Sequence, residues 1–225
     1  MSYSEYRKIA RDNLAGKWSQ AVLVAFVAAL LGGLITASSY FRLDMDAEYI
    51  HYLPEFLIPL LTLGVSTAGT LNLVHFILGG TVQLGYAQVL LKQHHGADYD
   101  VKDLFSQFYR FKQGFLQSFL TGLYVFLWTL LFIIPGIIKA YSYAMTPFIM
   151  ADNPELTARE AMEQSQALMN GHKGELFILG LTFIGWDLLN VLTLGIGSLW
   201  LNPYKNAAYA AFYRDLCPLR RLEEA

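Results

Sequence analysis

Two polar pairs interrupt apolar stretches of the chain: Asn72 with His75, and Asp187 with Asn190. A spacing of three residues puts the members of each pair on one face of a helix. An imidazole and a carboxylate can exchange a proton, and a nearby amide can orient either one. In hydrocarbon an isolated ion is costly, so such groups mark a transport pathway or a structural tie, and both readings remain open. At about 1.5 Å per residue, His75 and Asp187 sit roughly 24 and 18 Å from the inner ends of their runs. That depth match predicts neighbouring helices, with Asp187 facing inward toward His75 or Asn72.

His94-His95 with Asp98 and Asp100 offers metal-binding side-chain types but no ligand spacing, because adjacent histidines point to different sides of a helix or strand. These four read as a solvated loop, and no metal or cofactor is expected. Glu175, in a first helical turn, complements the helix dipole. The single cysteine, Cys217, excludes an internal disulfide. There is no glycine-rich phosphate loop, no His-Glu-x-x-His helix and no Gly-x-Ser-x-Gly elbow, so no enzyme is expected.

The elements that hold these residues are apolar. The 225-residue chain is 55% hydrophobic and only 15% charged, with a mean hydropathy of +0.36, which points to a bilayer rather than water as solvent. A net charge of -2 gives no global basic field for nucleic acid. Apolar runs at 18–41, 53–91, 115–134, 136–151, 175–200 and 203–216 predict an all-α bundle of about six transmembrane spans. The first run is too long for a secretory signal. Residues 53–66 read as a re-entrant, interfacial or spanning approach to a crossing at Gly69–Leu91, and Pro135-Gly136 and Asn202-Pro203 read as helix-breaking outer turns.

Three polar segments, 3–15, 99–113 and 154–171, carry helical periodicity and predict amphipathic helices lying on the cytoplasmic interface. The first sets Tyr6, Ile9, Ala10 and Leu14 against Arg7, Lys8, Arg11 and Asp12, with Ser4 as cap. The second sets Leu104, Phe105, Phe108 and Phe111 against Lys102, Gln107 and Arg110. The third starts at Asn153-Pro154-Glu155 and sets Ala158, Ala161, Met162, Ser165 and Met169 against Arg159, Glu160, Glu163 and Gln166. Each ends at a glycine beside a cation: Gly16, Gly114 and Gly171. That shared geometry reads either as internal repeats of a surface helix plus a transmembrane hairpin, starting near 3, 99 and 154 within one membrane domain spanning 1–225, or as convergence on one way into the bilayer.

With both ends inside, 13 of the 16 Lys and Arg residues are cytoplasmic, and only Arg42, Lys139 and Lys205 fall outside. The expected location is therefore the plasma membrane, multi-pass, with both termini cytoplasmic. Ala21, Ala25, Ala29, Gly33 and Ala37 recur every four residues as a small-residue stripe, which allows close approach of a neighbouring span or of a second copy of the chain.

Further motifs are Leu130 to Met145, with its central Ile134-Pro135-Gly136-Ile137, then Met169-Asn170-Gly171, Phe183-Ile184-Gly185-Trp186, Leu192 to Gly197, Asn202-Pro203-Tyr204 and Ala10 to Trp18. Together they resemble a bacterial family of polytopic membrane proteins, domain of unknown function 975, across nearly the whole chain. The resemblance implies an integral membrane protein and supplies no catalytic residues. This sequence departs from the pattern at Asn202 and Asp187. Two functions remain: transport or binding of a hydrophobic or amphipathic small molecule, or a non-catalytic organiser that holds lipid, a protein partner or a second copy.

Overall fold

The computed structural model describes residues 1–32, 58–193 and 195–217, with side chains described except at 32, 58–73 and 191. Gly33, Ala37, the Asn72 side chain and the Arg42–Glu55 segment therefore lie outside the described residues. Among the described residues every regular element is helical. In chain order these are α1 (Tyr3–Leu14), α2 (Trp18–Gly32), α3 (Ile58–His94), two 3₁₀ turns (Val101–Phe105 and Phe108–Arg110), α4 (Phe111–Leu131), α5 (Ile133–Ser142), α6 (Thr146–Asp152), α7 (Ala158–Leu168), α8 (Lys173–Leu181), α9 (Ile184–Leu192) and α10 (Ser198–Leu216).

α3 is the hub, with α2, α4, α6 and α10 packed around it. It is continuous over 37 residues, so the expected division near Gly69 does not occur. Pro59 sits in its first turn, where the missing N–H costs nothing. Two glycines set how closely its neighbours approach. A Cβ at Gly80 would drive into the Gly114 carbonyl of α4, and one at Gly85 into the Leu104 carbonyl of the first 3₁₀ turn. Gly114 is thus a packing residue rather than a hinge. Gly16 and Gly171 do turn the chain at helix ends, with φ of 76° and 85°, where a side chain would be strained.

Two helical segments, Val74–His94 and Val101–Leu131, are long and apolar enough to cross a membrane. The number rises to three if Tyr3–Leu14 and Trp18–Leu31, bent by 102°, form one span. Six separate crossings are not what the described residues display, because the later runs are cut into shorter helices of 10, 9 and 9 residues at α5, α8 and α9. The breaks also fall elsewhere than expected. The α4–α5 hairpin turns at Phe132, which adopts extended backbone, and Pro135-Gly136 lies within α5, where Gly136 packs on Thr129. Pro203 lies inside α10, and the chain turns instead around Gly195, with φ 86°.

Surface chemistry agrees with an apolar solvent around part of the molecule. On α2 the small residues Ala21, Val24, Ala25, Ala28 and Ala29 are buried, while Leu23, Phe26 and Leu30 are exposed. Small inside and large outside inverts the arrangement of a water-soluble helix. The stripe at Ala21, Ala25 and Ala29 thus faces into this chain's own core, where α2 meets α3 and α10.

The amphipathic segments are only partly as expected. α1 buries Tyr6, Ala10 and Leu14, and α7 buries Ala158, Ala161, Met162 and Ser165, but in both cases against protein. Their caps are Ser2 and Thr157, each in a reciprocal capping box with the glutamate three residues on, instead of Ser4 and Asn153. The second segment is re-phased. It winds as 3₁₀ turns at three residues per turn, so Gln107 and Arg110 are buried while Phe105 is exposed. Arg110 donates to the Met150 and Leu156 carbonyls at 3.0 and 2.7 Å, and these non-local acceptors hold the cation inside.

A Gly80→Ala substitution is expected to destabilise the protein by about 1–3 kcal/mol, because backbone rather than a movable side chain blocks the new methyl. Gly122→Ala on α4, where nothing lies within 4 Å, is expected to be neutral or stabilising. Thermal unfolding midpoints in one detergent would check both, and equal effects would remove the close-approach interpretation.

Candidate functional site

α1 reaches its place through its buried face. Tyr6 meets Phe212 of α10 edge-on at 5.5 Å and donates its hydroxyl to Asp215. Burial and that carboxylate push the Tyr6 phenol up from its ordinary pKa. The N-terminal ammonium also reaches Asp215, at 3.2 Å, so the start of the chain and the end of α10 meet. At the other end of α1, Lys17 pairs with Asp98 at 2.9 Å and Gln20 donates to the Tyr99 carbonyl. With Tyr6, Ala10 and Leu14 turned inward, Arg7 and Arg11 fall together one helical turn apart.

Both arginines line a cavity of about 490 Å³, a size typical of small-molecule sites. Trp18 contributes from the start of α2. Trp186, Leu189 and Asn190 come from α9, Thr193 and Gly197 from the turn, and Trp200, Leu201 and Tyr204 from α10. The guanidinium of Arg7 stands 5.6 Å from the centre of the fully buried Phe183 ring. Its Nε is covered and has no acceptor, and the Asn190 side-chain oxygen is covered and has no donor. Among the described residues neither Arg7 nor Arg11 has a carboxylate partner, whereas Asp98, Asp152, Asp187 and Asp215 are each engaged by another cation. Trp186, Leu189 and Trp200 are half-exposed and Arg11 and Thr193 are exposed as well, so the cavity opens through an aromatic and aliphatic rim that also carries a cation.

The chain belongs to the family described as "Protein of unknown function (DUF975)". The family model matches residues 1–145 and 131–219, nearly the whole length. No curated protein and no solved structure matches the chain.

Of the four polar residues singled out in the sequence, the Asn72 side chain lies outside the described residues, and His75 and Asp187 take different partners. His75 hydrogen-bonds through Nε2 to the Leu30 carbonyl at 2.7 Å, which ties α3 to α2. Asp187 is held by Lys205 of α10, with both carboxylate oxygens at 2.9 Å, so its charge is satisfied without His75. Asn190 lines the large cavity. A second, smaller cavity of about 170 Å³ lies between Ala25 and Ala29 of α2, Tyr86 of α3, and Asn202, Lys205, Asn206 and Tyr209 of α10.

Lys205 and Lys139 were placed outside by the charge count. Lys205 pairs with Asp187 within the helix packing, and Lys139 donates to Gln166 of α7 at 3.1 Å. Among the described residues no group of three His, Cys, Asp or Glu side chains is arranged to hold a metal.

Lys205 had a signal in the sequence: a cation within an apolar run needs an anion, and Asp187 lies one helix away. Arg7 and Arg11 had none, because an isolated basic helix face reads as facing water.

Replacing Asp187 by Asn leaves Lys205 without its counter-charge and is expected to lower the unfolding midpoint, as is Lys205→Gln. The double variant is expected to lose less than the two single losses added together. Additive losses would show that the pair does not act as a unit. Lys17, bonded to Asp98, holds that carboxyl below its ordinary pKa. The pair therefore contributes above the ordinary carboxylate range and is lost as pH falls through the lowered value. The midpoint gap between wild type and Asp98→Asn is expected at neutral pH and should close in acid. A gap independent of pH would contradict this.

Proposed function

We propose that this protein is a multi-pass plasma-membrane protein with both ends in the cytoplasm, and that the cavity between α1, α9 and α10 binds an amphipathic small molecule for transport or presentation. The observation that supports the reading is one cavity lined by two arginines that pair with no carboxylate among the described residues, and by Trp18, Trp186 and Trp200. A ligand with a polar head and an apolar tail satisfies both parts, and its tail can enter directly from the bilayer across the half-exposed rim. Three of the four tryptophans line the cavity, and Trp128 does not.

In a Trp128→Phe background, a brominated single-chain amphiphile is therefore expected to quench fluorescence saturably. Leu201→Trp, which fills the cavity, should abolish the saturable part. Quenching that only rises in proportion to the amphiphile in the bilayer or micelle would reject a site and favour the organiser. For topology, in a Cys217→Ser background, Asp98→Cys should label only after permeabilisation and Asp46→Cys from outside. The reverse pattern would overturn the orientation.

A further inference from the structure

Resting on the binding function just proposed, we infer that the cavity's ligand is a lipid phosphomonoester: a bilayer lipid whose headgroup phosphate is seated between Arg7 and Arg11. Charge sets the class. Two guanidinium groups stand in one cavity, and among the described residues no carboxylate neutralises either. A phosphomonoester carries about -1.5 to -2 near pH 7, matching two cations, whereas a phosphodiester or a carboxylate carries one negative charge.

Geometry agrees with the charge count. Arginine's planar fork donates two parallel N–H bonds to tetrahedral oxyanions. Three non-bridging oxygens give two forks enough acceptors. The Arg7 guanidinium, beside Phe183 with its Nε covered, is partly stripped of water, which strengthens its attraction to an anion.

The source is the membrane and not the aqueous phase. The cavity rim is Trp186, Leu189 and Trp200, flanked on the surface by exposed Leu188, Leu192 and Ile196. Arg11 stands exposed at the mouth to receive a headgroup phosphate, and an acyl chain would remain in contact with the apolar part of the rim throughout. Trp18 and Tyr204, whose rings are 6.5 Å apart, stand among the arginines and the apolar wall, where amphipathic rings suit the boundary between headgroup and chain.

The charge state of the ligand makes binding depend on pH. The second phosphate ionisation has a pKa of about 6, so binding should tighten as pH rises through it. Among the described residues the ionisable side chains lining the cavity are Arg7, Arg11 and Tyr204. The charged groups on the elements around the lining include Lys205 with Asp187, Lys17 with Asp98, Asp215 with the N-terminal ammonium, and Glu175, which acts on Tyr6 and pairs with His172 at 3.1 Å. His172 is the imidazole among these, so His172→Gln serves as the control.

The test uses full-length protein with Trp128→Phe in phosphatidylcholine nanodiscs, reading quenching by brominated phosphatidate, brominated phosphatidylglycerol and a brominated neutral diacylglycerol. The expected result is saturable quenching by phosphatidate roughly tenfold or more tighter than by the other two. That preference should strengthen from pH 5.5 to 7.5 in the wild type and in His172→Gln alike, and should disappear in Arg7→Gln/Arg11→Gln. Saturable quenching by all three lipids with equal affinity would overturn the phosphomonoester inference and leave the binding function standing. Absence of saturable quenching by any of them would remove both. Displacement of brominated phosphatidate by inorganic phosphate at comparable concentrations would overturn the membrane source.

Discussion

The site exists because α1 lies against α10. Tyr6, Ala10 and Leu14 are almost completely buried there, and burial of three such side chains is worth several kcal/mol of hydrophobic free energy. Helical phase does the rest. Once that face is fixed, Arg7 is committed to the edge of the contact beside Phe183, and Arg11 follows one turn later. The left-handed Gly16 then turns the chain so that Trp18 joins the same cavity. A polar segment before the first apolar run becomes one wall of an interior space.

Several polar groups within the apolar part of the chain find their partners on another element. Asp187 takes Lys205, His75 takes the Leu30 carbonyl, and Arg110 takes two carbonyls near α6. The cost of leaving such groups alone in a weakly polar medium exceeds the entropy of fixing them. Among the described residues Arg7 and Arg11 pair with no carboxylate, and the Asn190 oxygen in the same cavity has no donor. Two covered polar atoms without partners in one cavity beside an exposed cation are what a ligand site offers, because such groups stay unsatisfied until the ligand arrives.

Much of the local structure was legible in the sequence. The buried faces of α1 and α7 follow directly from 3.6-residue periodicity, and the left-handed turns at Gly16 and Gly171 follow from glycine beside a helix-ending cation. The failures have a common cause in non-local contacts. Nothing between 99 and 113 announces that Arg110 will be drawn inward by carbonyls some 40 residues later. The turn at Phe132 instead of Pro135-Gly136 reflects Thr129 packing on Gly136, a contact that spacing alone does not reveal. Pairing of His75 with Asp187 was inferred from depth, but depth does not specify which helices are adjacent.

The most direct measurement of the central idea is native mass spectrometry of the full-length protein released from its own membrane in mild detergent. One retained amphiphile per chain is the predicted result, with a mass that organic extraction assigns to a phosphate-bearing lipid. Arg7→Gln/Arg11→Gln is predicted to release it while keeping the wild-type helical content. Protein that emerges empty, or a variant that retains the same lipid as the wild type, would contradict an arginine-held ligand in this cavity.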